Sequence, residues 1–141
     1  MILFQYLDHL PQVPTELTQD AAVFDQALIG KQDLAFNYTR WPMREDLLSW
    51  IKSNITNETA IAGIQIITGD VAIHRDRRRW ALNYLIDTGG SAVTTQWHQI
   101  PGVPIIDVLN PETKSRALNA TDVRTILQKT VEPSRWHLIS T

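Results

Sequence analysis

Cysteine is absent from the 141 residues. That excludes disulfide frameworks, thiolate zinc sites and cysteine nucleophiles, and it fits a reducing compartment. An excess of charge of one sign is missing too. Thirteen Lys and Arg stand against fifteen Asp and Glu, for a formal net charge of −2. So balanced a chain has no global positive field for a polyanion. Long apolar runs are lacking: none approaches the roughly 20 residues of a membrane span. The opening Met1-Ile2-Leu3-Phe4 carries no charged signal-peptide start. No repeat, low-complexity tract or linker-like stretch divides the sequence. A P-loop, a dinucleotide-binding glycine motif and a Ser-His-Asp arrangement are not found. These absences predict a soluble, cytoplasmic single domain over 1–141, of a size that buries roughly 68% of its unfolded surface.

Residues 1–59 read as a mixed N-terminal part. Ile2 to Leu7 suits a short strand, and Pro11 and Pro14 then punctuate the chain. Pro14 favours a helix start at Thr15-Glu16-Leu17, continuing through Phe24 and Leu28 towards Gly30. Arg44 to Ile55 has a clearer helical pattern, with Leu47, Leu48, Ile51 and Ile55 on one face. Glu45 and Asp46 in its first turn and Lys52 near its end suit the helix dipole.

From Ala60 the period shortens towards 2, and 60–141 reads as a β core. The candidate strands are Ile61–Ile67, Val71–Arg75, Arg79–Asp87, Ala92–His98, Val103–Val108, Asp122–Val131 and Arg135–Ser140. Gly69-Asp70, Thr88-Gly89-Gly90 and Glu132-Pro133-Ser134 supply turns between them. About seven short strands predict a sandwich, barrel or jelly roll, with the helices packed outside.

Chemistry concentrates at Val71-Ala72-Ile73-His74-Arg75-Asp76. On a strand, residues i and i+2 share a face, so His74 and Asp76 project together. An imidazole and a carboxylate side by side are two of the three ligands of a 2-His-1-carboxylate iron site. The plainer alternative is a turn histidine hydrogen-bonded to an aspartate. The next strand has an apolar row, Trp80, Leu82, Tyr84 and Ile86, expected to be buried. Its other row holds Arg79, Ala81, Asn83, Leu85 and Asp87. Small Ala81 between a guanidinium and an amide suits the floor of a polar cavity, and the alternative is a solvent-facing row.

The string His74-x-Asp76-x-x-Arg79-x-Ala81-Leu82-Asn83-x-Leu85-Ile86 resembles iron(II)/2-oxoglutarate-dependent oxygenases. The likeness is nearest to aspartyl/asparaginyl hydroxylases, prolyl hydroxylase-like proteins and their phage and marine-microbial relatives. It extends to Thr94-Thr95-Gln96-Trp97 and to Val131–Leu138, and so covers about 60–141. The resemblance implies a mainly β, cupin-like double-stranded β-helix (jelly roll) with one or two N-terminal helices. It implies iron(II) held by His74, Asp76 and a distal His, with 2-oxoglutarate as co-substrate. Asn83 falls where the family offers the co-substrate a polar group, and Arg79 matches the pattern beside it. In the family the distal His, and later a basic residue for the co-substrate, follow the Trp-x-Leu strand. Trp136 here lies five residues before Thr141, so both are expected to be missing from this sequence. His137 and His98 are the substitutes within it.

Two functions follow. One is an oxygenase-like hydroxylase, inactive if those residues are missing, acting on a small molecule or a protein. The other is a non-enzymatic jelly-roll protein for binding or assembly, including in a phage. A jelly roll without its last strands exposes a sheet edge and an apolar face, which predicts a homodimer with strands paired or exchanged. Arg75, Arg77, Arg78 and Arg79 form a basic cluster, and there are five tryptophans. Together they could suit a nucleic acid. Strand alternation splits the arginines between faces, however, and the net charge is negative. A solvated turn that attracts an anion such as 2-oxoglutarate is the simpler reading, with the tryptophans in the core.

Overall fold

A computed structural model describes residues 2–23, 32–33, 37–58, 61, 63–71, 74–75, 80–99, 108–109, 116–117 and 124–140. In chain order the elements are β1 (Phe4–Tyr6), α1 (Thr15–Thr18), β2 (Gln32–Asp33), β3 (Tyr38–Trp41) and α2 (Glu45–Asn54). They continue with β4 (Ile64–Ile67), β5 (His74–Arg75), β6 (Trp80–Tyr84), β7 (Val93–Gln99) and β8 (Val108–Leu109). The last three are β9 (Arg116–Ala117), β10 (Arg124–Val131) and β11 (Trp136–Ser140). The protein is mainly β, and every strand pairing is antiparallel. Among the described residues no helix is long and apolar enough to cross a membrane. The chain divides into two compact units, one made of 1–12 with 73–141 and the other of 13–72.

In the 13–72 unit, α2 forms where the sequence pattern places it. Leu47 and Ile51, one turn apart, are buried, and Leu47 is 2% exposed. Asp46 Oδ1 accepts from the Leu47 N–H at 2.9 Å, satisfying one donor of the first turn. The Arg44 guanidinium pairs with the other oxygen of the same carboxylate. The expected continuation of the first helix towards Gly30 does not occur. Helix α1 ends at Thr18, whose hydroxyl turns back to the Thr15 carbonyl at 2.8 Å. Arg44 Nη1 then takes the Gln19 carbonyl at 2.7 Å, and Asp20 adopts a left-handed φ of 48°. Beyond it Ala22 bridges to Met43 in an extended pairing, while residues 24–30 lie outside the described part. Strands β2, β3 and β4 form one sheet in that order.

In the other unit the pairing is nested. Strand β8 pairs with β9, β7 with β10, and β6 with β11. From β8 and β9 outward to β6 and β11, each earlier strand meets the next later one, whereas β5 pairs with β9. The members of successive pairs lie in different sheets: β10-β7 in one, β1-β11-β6 in another, and β5-β9-β8 in a third. Glu132-Pro133-Ser134 therefore turns the chain from one sheet to another. Ser134 holds φ 61° there, and its N–H donates to the Leu85 carbonyl at 2.8 Å. Strand β1 adds to the far side of β11, pairing Phe4 with Ile139 and Tyr6 with His137.

The two rows of β6 are reversed from the sequence expectation. Trp80 and Leu82 face outward, 45% and 36% exposed. Ala81 and Asn83 share a row with Ile139 and His137, and through them with Phe4 and Tyr6. Trp97 of β7 packs against that side, its ring edge-on to Phe4 at 6.0 Å. Its indole N–H donates to the Ser140 carbonyl at 2.9 Å. The physical reason is the location of cover. On the outer row Tyr84 has Trp136 as cover at 4.8 Å, and the Trp136 indole donates to the Pro11 carbonyl at 2.9 Å.

Candidate functional site

Sheet β1-β11-β6 places Asn83, His137 and Tyr6 side by side across three strands. His137 is 3% exposed. Its ring lies nearly parallel to Phe4 at 5.3 Å, 24° between planes, and meets the edge of Tyr6 at 6.1 Å. Nδ1 lies 3.2 Å from the Arg135 carbonyl. A carbonyl only accepts, so Nδ1 carries the proton of the neutral ring. Burial pushes the His137 pKa below its ordinary value, against the opposite pull of that carbonyl bond. Asn83 is part-buried, and its Nδ2 donates to the Ala81 carbonyl at 3.4 Å.

The four residues expected to hold iron and 2-oxoglutarate are described unequally. His74 lies in β5, opposite Ala117 of β9, with its backbone alone described. Asp76 and Arg79 lie outside the described residues. Asn83 is on the Trp97 side of β6. The two substitute histidines lie apart from each other in the fold. His98 is on the row of β7 opposite to Trp97, where Nδ1 meets Thr125 Oγ1 at 3.2 Å. His137 is on the Trp97 side, so the two imidazoles face different spaces. Among the described residues no three His, Asp or Glu side chains converge as a metal-binding group.

A second polar cluster lies where residues 6–12 meet 132–136, a juxtaposition the sequence pattern did not indicate. Arg135 makes a two-pronged pair with Asp8, Nε–Oδ1 2.9 Å and Nη2–Oδ2 2.7 Å, while Nη1 takes Glu132. The guanidinium also stands 3.5 Å over the Tyr6 ring. Tyr6 Oη accepts from the Glu132 N–H at 2.9 Å, and Gln12 Nε2 donates to the Ser134 carbonyl at 3.1 Å. The Arg135 hydrogen bond holds the Asp8 carboxyl below the usual range, and Arg135 is raised by the same bond and by Glu132. An open groove of about 320 Å³ lies alongside, lined by Leu7, Leu10, Ser134 and Trp136 among others. With all three guanidinium nitrogens engaged within the chain, this cluster is a clasp between the ends of the unit rather than an anion receptor. No local spacing signals it, because residues 8 and 135 meet only through β1–β11 pairing.

No protein family, curated protein or solved structure matches this chain.

Proposed function

We propose that the chain is an oxygenase-like jelly-roll domain of the iron(II)/2-oxoglutarate type, working in the cytoplasm. His74 and Asp76 would hold the metal, and Asn83 with Arg79 would face the co-substrate. The observation that carries this reading is the nested antiparallel pairing together with the inward row of β6. A jelly roll is a long hairpin wrapped so that successive strand pairs alternate between two facing sheets. The pairs β7·β10 and β6·β11, nested and in separate sheets, support that reading. Asn83, nine residues after His74 in sequence, lies on the enclosed side, next to His137. Bound iron(II) and 2-oxoglutarate would supply oxygen activation for hydroxylating a small molecule or a protein. The chain's own part would be to enclose that space with Phe4, Trp97 and His137, which exclude water, and to offer the Asn83 amide. No third ligand is assigned, and no reaction step is drawn through the metal.

The test is the visible charge-transfer band of such sites when iron(II) and 2-oxoglutarate are added without oxygen. The reading expects a band in the wild-type chain, lost in His74→Ala and Asp76→Ala and kept in His98→Ala. No band in folded wild-type protein, or a band indifferent to His74, would sink it.

A non-enzymatic binding or assembly role is the second reading, and two observations favour it. The Nδ1 of His137 and the Nδ2 of Asn83 are both engaged by backbone carbonyls. The outer row of β6 meanwhile presents large apolar side chains. This reading expects no band and a concentration-dependent assembly instead.

A further inference from the structure

We infer that two copies of this chain join edge to edge through β6, antiparallel about a two-fold axis. Strand β6 ends the order β1-β11-β6, and among the described residues its one ladder partner is β11. A free edge invites strand addition unless charges, a proline or a bulge blunts it. Trp80-Ala81-Leu82-Asn83-Tyr84 has none of these.

The outer row is self-complementary. Antiparallel pairing centred on Leu82 sets Leu82 against its own copy and Trp80 against Tyr84 of the second copy, all on one face. Trp80 and Leu82 are the exposed members of that row. Trp80 would meet Tyr84 twice per interface and Leu82 its own copy once, on the axis, as an isologous contact requires. Charge agrees as well. The sequence before β6 carries Arg77, Arg78 and Arg79, and the sequence after it carries exposed Asp87. Unlike charges at the two ends of the strand's sequence suit an antiparallel pairing of two copies, where like charges would suit it less.

Other edges lack this combination. Strand β1 has three residues and turns exposed Gln5 outward. Exposed Ile66 and Ile67 of β4 are consecutive, so they point to opposite faces and make no single row. Strand β10 carries Arg124 and Lys129. A second copy of this chain is thus the occupant that fits β6, and this assignment does not depend on iron or 2-oxoglutarate.

The lack of cysteine makes the test clean. Antiparallel partners have Cα atoms roughly 4.5–5.5 Å apart, inside the roughly 4.4–6.8 Å that a disulfide spans. The expected results are twice the chain mass by sedimentation for wild type, and monomer for Leu82→Lys. Mild oxidation should give a covalent dimer from Leu82→Cys and none from Ile126→Cys, which is exposed elsewhere in the same unit. A monomeric wild type at high concentration, or equal cross-linking of both cysteine variants, overturns the inference. Should Leu82→Lys fail to fold, the wild-type mass and the cysteine pair decide it.

Discussion

The two units are built from the chain in different ways. Residues 13–72 form one unit from a continuous segment, whereas the other joins 1–12 to 73–141. In the continuous unit, Arg44 reaches Gln19, 25 residues back, and α2 buries Leu47 and Ile51 one turn apart. In the other, the bonds that fix the N-terminal strand span 122 to 127 residues, from Gln12 to Ser134, Trp136 to Pro11, and Arg135 to Asp8. Such contacts must overcome the closure of a long loop before they stabilise anything. The Trp97 side of β6, where Asn83 lies, therefore depends on residues 2–12 as well as on its own sheet.

The largest expected effect is on the cores. Trp97→Ala should cost about 3–5 kcal/mol and Leu47→Ala about 2–5 kcal/mol, read by denaturant unfolding. Hydrogen exchange should localise the damage, in β1, β7 and β11 for the first and in α2 for the second. Equal loss of protection in both units from either variant would break the distinction between them.

Next is the tie between the chain ends. Trp136→Phe keeps the ring packed on Tyr84 and removes the indole bond to Pro11, which should cost about 1 kcal/mol. The lost protection should fall in β1 and β11 and spare α2.

Acid should also separate the units. All four histidines lie outside 13–72. Burial keeps the folded His137 pKa below its ordinary 6.5, so the unfolded chain takes up the proton first. Stability from this residue is complete above pH 6.5 and declines as pH falls through that value towards the lower folded one. Thermal unfolding of wild type should show this decline, and His137→Gln should flatten it. An unchanged slope in that variant would remove His137 as the cause.

The smallest effect belongs to the clasp. Arg135→Gln removes exposed ion pairs with Asp8 and Glu132, so the melting temperature should drop modestly, and less at high salt. A drop that high salt leaves intact would point instead to lost packing over Tyr6.

Legibility in the sequence followed the same division. Helix α2 and strands β7, β10 and β11 could be read because period and turn residues are local properties. Strand β3 was missed, since Tyr38-Thr39-Arg40-Trp41 takes its order from pairing with β4 and its sequence has no alternation of its own. The sequence pattern carries helix α1 too far because its stop depends on Arg44, distant along the chain. The rows of β6 were inverted for a related reason. Alternation separates two rows but does not say which is covered, and here Trp97 and the 7–12 segment decide. Trp97 and Trp136 sit in the core as expected, while Trp80 does not. Of the candidate site, the sequence indicated His74, Asp76, Arg79 and Asn83. The structure adds the pairing of part-buried Asn83 with His137, which no spacing reveals.

The most direct test of the functional account uses manganese(II), a paramagnetic ion that occupies oxygen- and nitrogen-ligated sites. Added to the folded chain, it should broaden the amide signals around His74 in the wild type and lose this effect in Asp76→Ala. No broadening around His74, or broadening unchanged in that variant, would contradict the proposed metal site at His74 and Asp76.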